Sequence, residues 1–115
     1  MELEGLSWLD GSVRTYIHYR FVADEVPGWT WDSEKARSNR QKHGVSFAEA
    51  VIALEDPLAL TVPDRREAED RFVTVGQGSE GKLIVIAWIP LERGGRIVSA
   101  RKATPRERHS YEEKS

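Results

Sequence analysis

Basic side chains crowd one short stretch near the end of this chain. Positions 93–108 hold six basic residues and one acidic residue, a local charge of +5 in a chain whose net charge is −2. Five of the six are arginine, whose planar guanidinium can bind a phosphate through two parallel hydrogen bonds. This pattern predicts a phosphate-binding surface, and the alternative is a solvated face that only keeps the protein soluble. The bases are Arg93, Arg96, Arg101, Lys102, Arg106 and Arg108.

Several other chemistries lack the residues that they require. The 115 residues include no cysteine, which excludes disulfides, thiolate nucleophiles and cysteine-based zinc sites. The histidines, His18, His43 and His109, do not show the i,i+4 spacing of a metal-binding pair, so we expect neither a metal nor a cofactor. Positions 76–81 match the glycine spacing of a dinucleotide-binding loop, but a strand is expected to follow instead of a helix. We therefore predict a hairpin loop there.

The length and hydropathy of the chain indicate one domain that does not cross a membrane. The longest apolar run, Leu83–Ile89, has seven residues, far fewer than the roughly 20 needed to span a bilayer. Glu2 and Glu4 stand where a signal peptide would carry basic charge. We expect a soluble protein of the cytoplasm.

The first 28 residues differ in charge and pattern from the remainder. They carry a net charge of −3, and positions 13–23 alternate apolar and polar residues as a strand does. Pro27 and Gly28 then interrupt the strand pattern. We predict an N-terminal arm at 1–28 with one extra strand, followed by a domain at 29–115.

Capping residues predict two helices at the start of that domain. Asp32 or Ser33 can cap a helix that Gly44 ends, and this helix is unusual because Ala36 is its only apolar residue. Ser46, with Glu49 three residues later, predicts the start of a second, apolar helix that stops before Asp56 and Pro57.

Four strands and a terminal helix complete the predicted α+β fold. Glycine-rich turns separate the strand segments, which favours hairpins and a four-stranded antiparallel sheet with Leu83–Ile89 as its central strand. Thr104, Pro105 and Glu107 predict the start of a C-terminal helix running to about residue 113. The predicted strands are 58–62, 71–75, 83–89 and 96–100.

Three stretches, read in order, resemble one family. They hold Trp31-Asp-x-x-Lys35-x-x-x-Asn39-x-x-Lys42-His-Gly-Val-Ser-Phe47-x-x-Ala50, then Asp56-Pro57 with Asp64 and Glu69-x-Arg71 ahead of Gly76, and finally Ile97-Val-Ser-Ala-Arg-Lys-Ala-Thr104-x-x-Glu107-Arg108-x-x-Tyr111. Over about residues 29–113 the chain resembles the BrnT-type toxins of type II toxin–antitoxin pairs, whose fold is similar to that of RelE-like ribonucleases. Residues 1–28 lie outside the pattern.

This resemblance implies an endoribonuclease that stops translation by cutting RNA. It also implies a ribbon-helix-helix antitoxin of the BrnA type, encoded beside the toxin, whose complex with the toxin represses its own promoter. Promoter DNA is then contacted only through the antitoxin, and the complex can contain a toxin dimer. The alternative is a non-enzymatic module, a degenerate toxin, that binds nucleic acid or antitoxin with the same basic surface.

A ribonuclease that uses no metal needs a base near the 2′-hydroxyl, cations at the phosphorane and a proton donor for the 5′-oxygen. His43 is a candidate for proton transfer because its ordinary pKa is about 6.5. The alternative for His43 is a favourable interaction with the C-terminal end of a helix. Lys42 is a candidate phosphate contact or proton donor.

Glu69 and Arg71 lie two residues apart on a predicted strand and therefore share one face. Arg71 could stabilise the phosphorane, and Glu69 could orient it or act as the base. The alternative is a salt bridge worth at most about 1 kcal/mol if exposed.

The candidate phosphate-binding residues are Arg96, Arg101, Lys102, Arg106 and Arg108. Arg101 and Lys102 precede the terminal helix, whose N-terminus adds positive potential. Arg108 could instead pair with Glu112, four residues further along. Tyr111 is expected to pack, and Trp31 is expected in the core with a base-stacking platform as the alternative.

Overall fold

A computed structural model describes residues 28–65 and 70–114. Within these ranges the chain forms three α-helices and one five-stranded sheet. In chain order the elements are β1 (Trp29–Thr30), α1 (Ser33–His43), α2 (Phe47–Leu54), β2 (Leu60–Pro63), β3 (Phe72–Gln77), β4 (Leu83–Pro90), β5 (Gly95–Lys102) and α3 (Pro105–Lys114). The strand predicted in the N-terminal arm, at 13–23, lies outside the described residues.

The sheet is mixed, with the strand order β1-β5-β4-β3-β2. Strands β2 to β5 form the predicted antiparallel meander, and β4 is the central strand as expected. The prediction of four antiparallel strands is wrong because β1 adds a fifth strand, parallel to β5, with Trp29 opposite Gly95. Two residues are too few to show a strand period in the sequence.

The helix ends follow the capping residues closely. Asp32 Oδ1 accepts a hydrogen bond from the Glu34 backbone N–H at 3.1 Å, and Gly44 ends α1 with a φ of 73°, a conformation that favours glycine. Ser46 Oγ accepts from the Glu49 N–H at 3.1 Å at the start of α2. These local bonds are why the sequence predicts both starts correctly.

Helix α3 begins with a complete capping box. The Glu107 N–H donates to Thr104 Oγ1 at 3.2 Å, and the Thr104 N–H donates to Glu107 Oε1 at 2.8 Å. Further along α3, Tyr111 is 6% exposed, and its hydroxyl donates to Asp56 Oδ2 at 2.6 Å. Burial and this carboxylate raise the pKa of Tyr111 to about 12, and the expectation that Tyr111 packs is confirmed.

One face of the sheet packs against α2 to form the core. Alternate residues of the three inner strands point to this face and are buried with the apolar side chains of α2. Gly76 brings β3 close to α2, because a Cβ at this position would lie 2.1 Å from the Ala53 carbonyl oxygen. The strand residues in the core are Trp29, Ile84, Ile86, Trp88, Ile97 and Ala100.

Helix α1 is held against the edge of β5 by a buried amide. Asn39 is 7% exposed; its Nδ2 donates to the Ala100 carbonyl at 2.8 Å and to the Val45 carbonyl at 3.1 Å. Asn39 Oδ1 accepts from the Ala100 N–H at 3.1 Å. A helix with almost no apolar stripe is thus tied to β5 by hydrogen bonds to its backbone.

A β-bulge interrupts the pairing of β4 with β5. Trp88 pairs with Ile97 and Ala87 with Ser99, so Val98 has no partner and is the extra residue of β5. In a regular strand two residues five positions apart point to opposite faces. The extra residue shifts the alternation by one position, so Arg96 and Arg101 lie on the same face of the sheet, opposite α2.

Among the described residues, no helix is long and apolar enough to cross a membrane.

Candidate functional site

A row of residues crosses the sheet face opposite α2 and has an arginine at each end. The Arg71 carbonyl accepts from the Asp64 N–H at 2.8 Å, which continues the ladder one residue before β3. Phe72 pairs with Trp88, so Arg71 lies opposite Ile89, and Ile89 in turn pairs with Arg96. Neighbouring strands are about 4.8 Å apart, so the two arginine Cα atoms are separated by about 10 Å.

The two arginines of this row differ in exposure: Arg96 is exposed and Arg71 half-buried. Long guanidinium side chains on two strands of one face can converge on a single phosphate. This row, defined by Arg71, Ile89 and Arg96, is called the arginine row below. Glu69, the predicted partner of Arg71, lies outside the described residues.

Arg101 lies at the other end of the same face and is engaged by α3. Its Nη1 and Nη2 donate to Glu107 Oε1 and Oε2, each at 2.8 Å. The hydrogen bonds from Arg101, opposed by desolvation and aided by the Thr104 N–H, lower the pKa of Glu107 to about 2. A carboxylate of the protein therefore binds Arg101 and the Thr104 N–H, where the sequence predicted a phosphate.

The remaining predicted phosphate contacts lie on the surface. Lys102 ends β5, Arg106 stands in the first turn of α3, and both are exposed. Arg108 Nη1 lies 4.0 Å from Glu112 Oε2, so the intrahelical pair considered as its alternative is present, with both side chains largely exposed. Such a pair contributes little to stability and can exchange Glu112 for a phosphate.

Lys42 and His43 occupy the last turn of α1, with Lys42 exposed and His43 half-buried. Residue Thr30, just before α1, lies beside Arg96, and Asn39 is bonded to Ala100. Helix α1 therefore runs along β5 in the strand direction, and its last turn lies toward the Lys102 end.

The described candidates for catalysis fall near two ends of β5, and Glu69 lies outside the described residues. The last turn of α1 lies beside the Lys102 end of β5, whereas Arg71 lies at the Arg96 end and two strands away from β5. The register places Arg71 and Arg96 in one row, and the catalytic roles of the four candidates stay predictions. Sequence spacing places side chains on a helix or a strand, but it does not tell which face of the sheet the helix covers.

Two features of the site are not evident from the sequence. Nothing in the sequence marks Asn39 as buried, because a polar residue on a polar helix carries no sign of burial. The bulge at Val98 leaves no signal except the spacing of Ile97 and Ala100, two core residues three positions apart. That spacing fits a strand only when one residue is extra.

Carboxylates and imidazoles do not gather into a candidate metal site in the described ranges. No group of three or more such side chains stands close enough to hold an ion there. The positive charge at the arginine row comes from guanidinium groups of the chain itself.

Residues 31–107 match the family described as "Ribonuclease toxin, BrnT, of type II toxin-antitoxin system". This span covers most of the chain and all three stretches that carry the resemblance, except the last few residues of the third. The chain belongs to the BrnT family of ribonuclease toxins. Of the predicted site residues, only Arg108 lies beyond the part matched to the BrnT family.

The fold agrees with a solved member of the BrnT family. The crystal structure of the Brucella abortus ribonuclease toxin BrnT superposes with a TM-score of 0.53 at 26% sequence identity. The match covers 65% of this chain and 94% of the Brucella chain. Among curated protein sequences, none matches this chain significantly.

Proposed function

We propose that this chain is a metal-independent endoribonuclease that inhibits translation by cutting RNA at the arginine row. The observation that carries the proposal is the register across β3, β4 and β5, which aligns Arg71 with Arg96 on one face. Two guanidinium groups at this spacing suit the negative charge that a phosphorane gains in the transition state. We further propose a RelE-like architecture for this site, in which the RNA strand binds across this face of the sheet.

In the proposed reaction the 2′-oxygen of a ribose attacks the adjacent phosphorus. The bond from phosphorus to the 5′-oxygen breaks, leaving a 2′,3′-cyclic phosphate and a 5′-hydroxyl. Arg71 and Arg96 bind the non-bridging oxygens and stabilise the added negative charge. The Glu69 carboxylate takes the proton of the 2′-hydroxyl and returns it to the leaving 5′-oxygen, so the protons balance without a metal.

The other predicted residues take supporting parts in this proposal. Lys102, Arg106 and Arg108 bind phosphates that flank the cut, and Arg101 positions α3 through Glu107. Lys42 and His43 lie toward the Lys102 end of β5, so we assign them to contacts with RNA outside the reacting phosphate. The alternative, proton transfer by His43, stays a prediction that the His43→Ala variant tests.

The test is cleavage of total RNA by the purified full-length protein in excess EDTA. Loss of one such cationic contact lowers the rate by about a hundredfold to a thousandfold, the range for one transition-state hydrogen-bond donor. We expect this loss for Arg71→Ala and a smaller one for Arg96→Ala, whereas His43→Ala and the remote surface control Lys114→Ala retain cleavage within about threefold. Thermal melting of each variant verifies that it is folded.

Three outcomes would contradict the proposal. Loss of cleavage in EDTA with recovery on adding Mg²⁺ would make the reaction metal-dependent. Loss in His43→Ala with retention in Arg71→Ala would move the reaction centre to α1. Intact RNA both alone and in a translating extract would support the alternative, a binding module without catalysis.

We also propose a ribbon-helix-helix antitoxin of the BrnA type as the partner, acting in the cytoplasm and carrying the complex to promoter DNA. Membership of a type II toxin family supports an antitoxin partner. Co-expression with the neighbouring gene should relieve growth arrest and yield a stable complex, whose mass would show whether the toxin is present as a dimer. Growth arrest that no neighbouring gene relieves would contradict this part of the proposal.

A further inference from the structure

An open cleft lies between α1 and the start of α2, beside Trp31, the residue that follows β1. Its volume is about 330 Å³, a size at the lower end of small-molecule sites in proteins. The lining is mostly apolar, with cationic side chains at the rim. The lining residues are Trp31, Ala36, Arg37, Arg40, Ser46, Phe47 and Ala48.

The wall of this cleft is an indole held in place by the core. The Trp31 ring meets the buried Phe47 ring edge to face, with centroids 6.0 Å apart and planes at 79°. Trp29 and Trp88 are each 1% exposed, whereas Trp31 is only partly buried against the core. A packed, partly exposed aromatic ring needs little ordering to bind a flat ligand.

Two arginines supply the positive rim. Arg37 Nη2 lies 3.1 Å from Glu34 Oε2 in an exposed pair, which water and salt weaken strongly. Arg40 is exposed, and in the ranges that the structure describes its guanidinium makes no hydrogen bond or ion pair. An anion could therefore bind Arg40 without displacing a partner within those ranges.

The cleft and the arginine row lie at the same end of β5 but on opposite faces of the sheet. Thr30 pairs with Arg96 at the edge of the sheet, and Trp31, the following residue, packs against Phe47 of α2. A single strand that crosses Ile89 and Arg96 therefore reaches the edge strand β1 and meets Trp31 by turning around this edge.

We propose that an unpaired nucleobase of RNA stacks on Trp31 in this cleft while Arg40 binds the adjoining phosphate. The inference rests on the proposed function and extends its substrate site around the edge of the sheet. Proteins that bind single strands combine an aromatic platform with a positively charged path for the backbone, and the cleft offers both. The exposed side chain of Ile52 lies one helical turn beyond Ala48 and favours a protein partner instead, so the test includes that outcome.

The experiment measures binding of a fluorescently labelled, single-stranded 2′-O-methyl oligonucleotide to the full chain by anisotropy. The methyl group blocks the attacking hydroxyl, so binding is measured without cleavage. Trp31→Leu keeps apolar bulk against Phe47 but removes the aromatic surface, and Trp31→Phe restores one. A second probe of the same length with abasic sugars reports phosphate contacts alone.

Stacking of one base on an aromatic ring predicts that Trp31→Leu binds the oligonucleotide about fivefold to a hundredfold more weakly. Trp31→Phe should recover most of this loss, and the abasic probe should bind Trp31→Leu and the unaltered chain equally. Arg40→Gln should reduce the slope of log affinity against log salt by about 0.7, the value for one phosphate contact on a single strand. Ile52→Ser and the remote charge control Lys114→Ala should change neither quantity.

Equal affinity of Trp31→Leu and the unaltered chain for the base-bearing probe would overturn the stacking site. An equal loss on both probes would also overturn it, because the effect would then be structural. Loss of antitoxin binding by Trp31→Leu with unchanged oligonucleotide binding would identify a protein-docking cleft instead. The proposed function is judged separately by cleavage in EDTA, so dependence of binding on Trp31 without any cleavage would refute the reaction and retain the stacking site.

Discussion

Helices α1 and α2 both pack against the sheet, α1 along β5 and α2 across β3, β4 and β5, and they differ in what holds them there. Helix α2 buries five of its eight residues in the core, and none of the five is polar. Helix α1 has 11 residues and buries only Asn39, whose amide bonds to Ala100 and Val45. One helix is attached by burial of apolar area, and the other by the two hydrogen bonds that its amide makes with the Ala100 backbone.

The difference shows how a small domain can place charge on a packed helix. Because a single amide fixes α1, the positions around it do not have to be apolar, and its basic side chains stay exposed. Helix α2 supplies apolar area to the core and leaves less of its surface for binding. The basic residues of α1 are Lys35, Arg37, Arg40 and Lys42.

The largest expected effect is on the apolar attachment. Phe47→Ala removes a side chain that is 2% exposed, and truncation of a buried phenylalanine costs about 3–5 kcal/mol of unfolding free energy. Urea unfolding followed by circular dichroism would measure this loss. Ile52→Ala on the same helix is the control, since that side chain is 50% exposed and should change stability by less than about 0.5 kcal/mol. Equal effects of the two changes would mean that α2 is not held by burial.

A smaller effect is expected for the amide attachment. Asn39→Leu leaves the Ala100 N–H and two carbonyl groups without their side-chain partner, which should cost about 2–3 kcal/mol. Native-state hydrogen exchange should then show faster exchange in α1 than in α2, because only α1 loses its attachment. Uniform loss of protection in both helices would instead mean that Asn39 supports the whole core.

Helix α3 extends the comparison with an ionic attachment, for which we expect the smallest effect. The pKa of Glu107 falls from 4.5 to about 2 on folding, so its stabilisation is present above pH 4.5 and disappears as the pH falls toward 2. Because Arg101 and Glu107 are partly exposed, solvent screening leaves about 1 kcal/mol at neutral pH.

Glu107→Gln tests this attachment through its pH dependence. Urea unfolding at pH 7 should show the variant less stable than the unaltered chain, and the difference should shrink to near zero by pH 2. A difference that stays constant from pH 7 to pH 2 would show that the ion pair does not hold α3.

Much of the fold follows from local signals in the sequence. Asp32, Gly44, Ser46 and Thr104 mark helix ends because their side chains or backbone angles satisfy groups within a few residues. The apolar run of β4 indicates burial on both faces, and its central place in the sheet follows. Such signals depend only on neighbours in the chain, so a single sequence is sufficient to interpret them.

The parts that the sequence did not predict depend on distant partners. The two residues of β1 become a strand only because β5 lies beside them, and Asn39 becomes buried only because Ala100 accepts and donates to it. Arg96 and Arg101 share a face only through the bulge, although their spacing predicts opposite faces. The arginine row could not be predicted for the same reason, because it depends on the register of three strands, which the sequence does not reveal.

The contacts that join the two halves of the chain have a consequence for its synthesis. Trp29 pairs with Gly95, Asn39 bonds to Ala100 across 61 positions, and Asp56 bonds to Tyr111 across 55. Contacts of such high sequence separation form late, because the loop between the partners must close first. The chain is synthesised from its N-terminus, so β1, α1 and the turn at Asp56 are made before the residues that they contact. These contacts can form only after β5 and α3 have been synthesised. A chain that stops before β5 cannot assemble the arginine row, so on the proposed function an incomplete product of translation would not cut RNA.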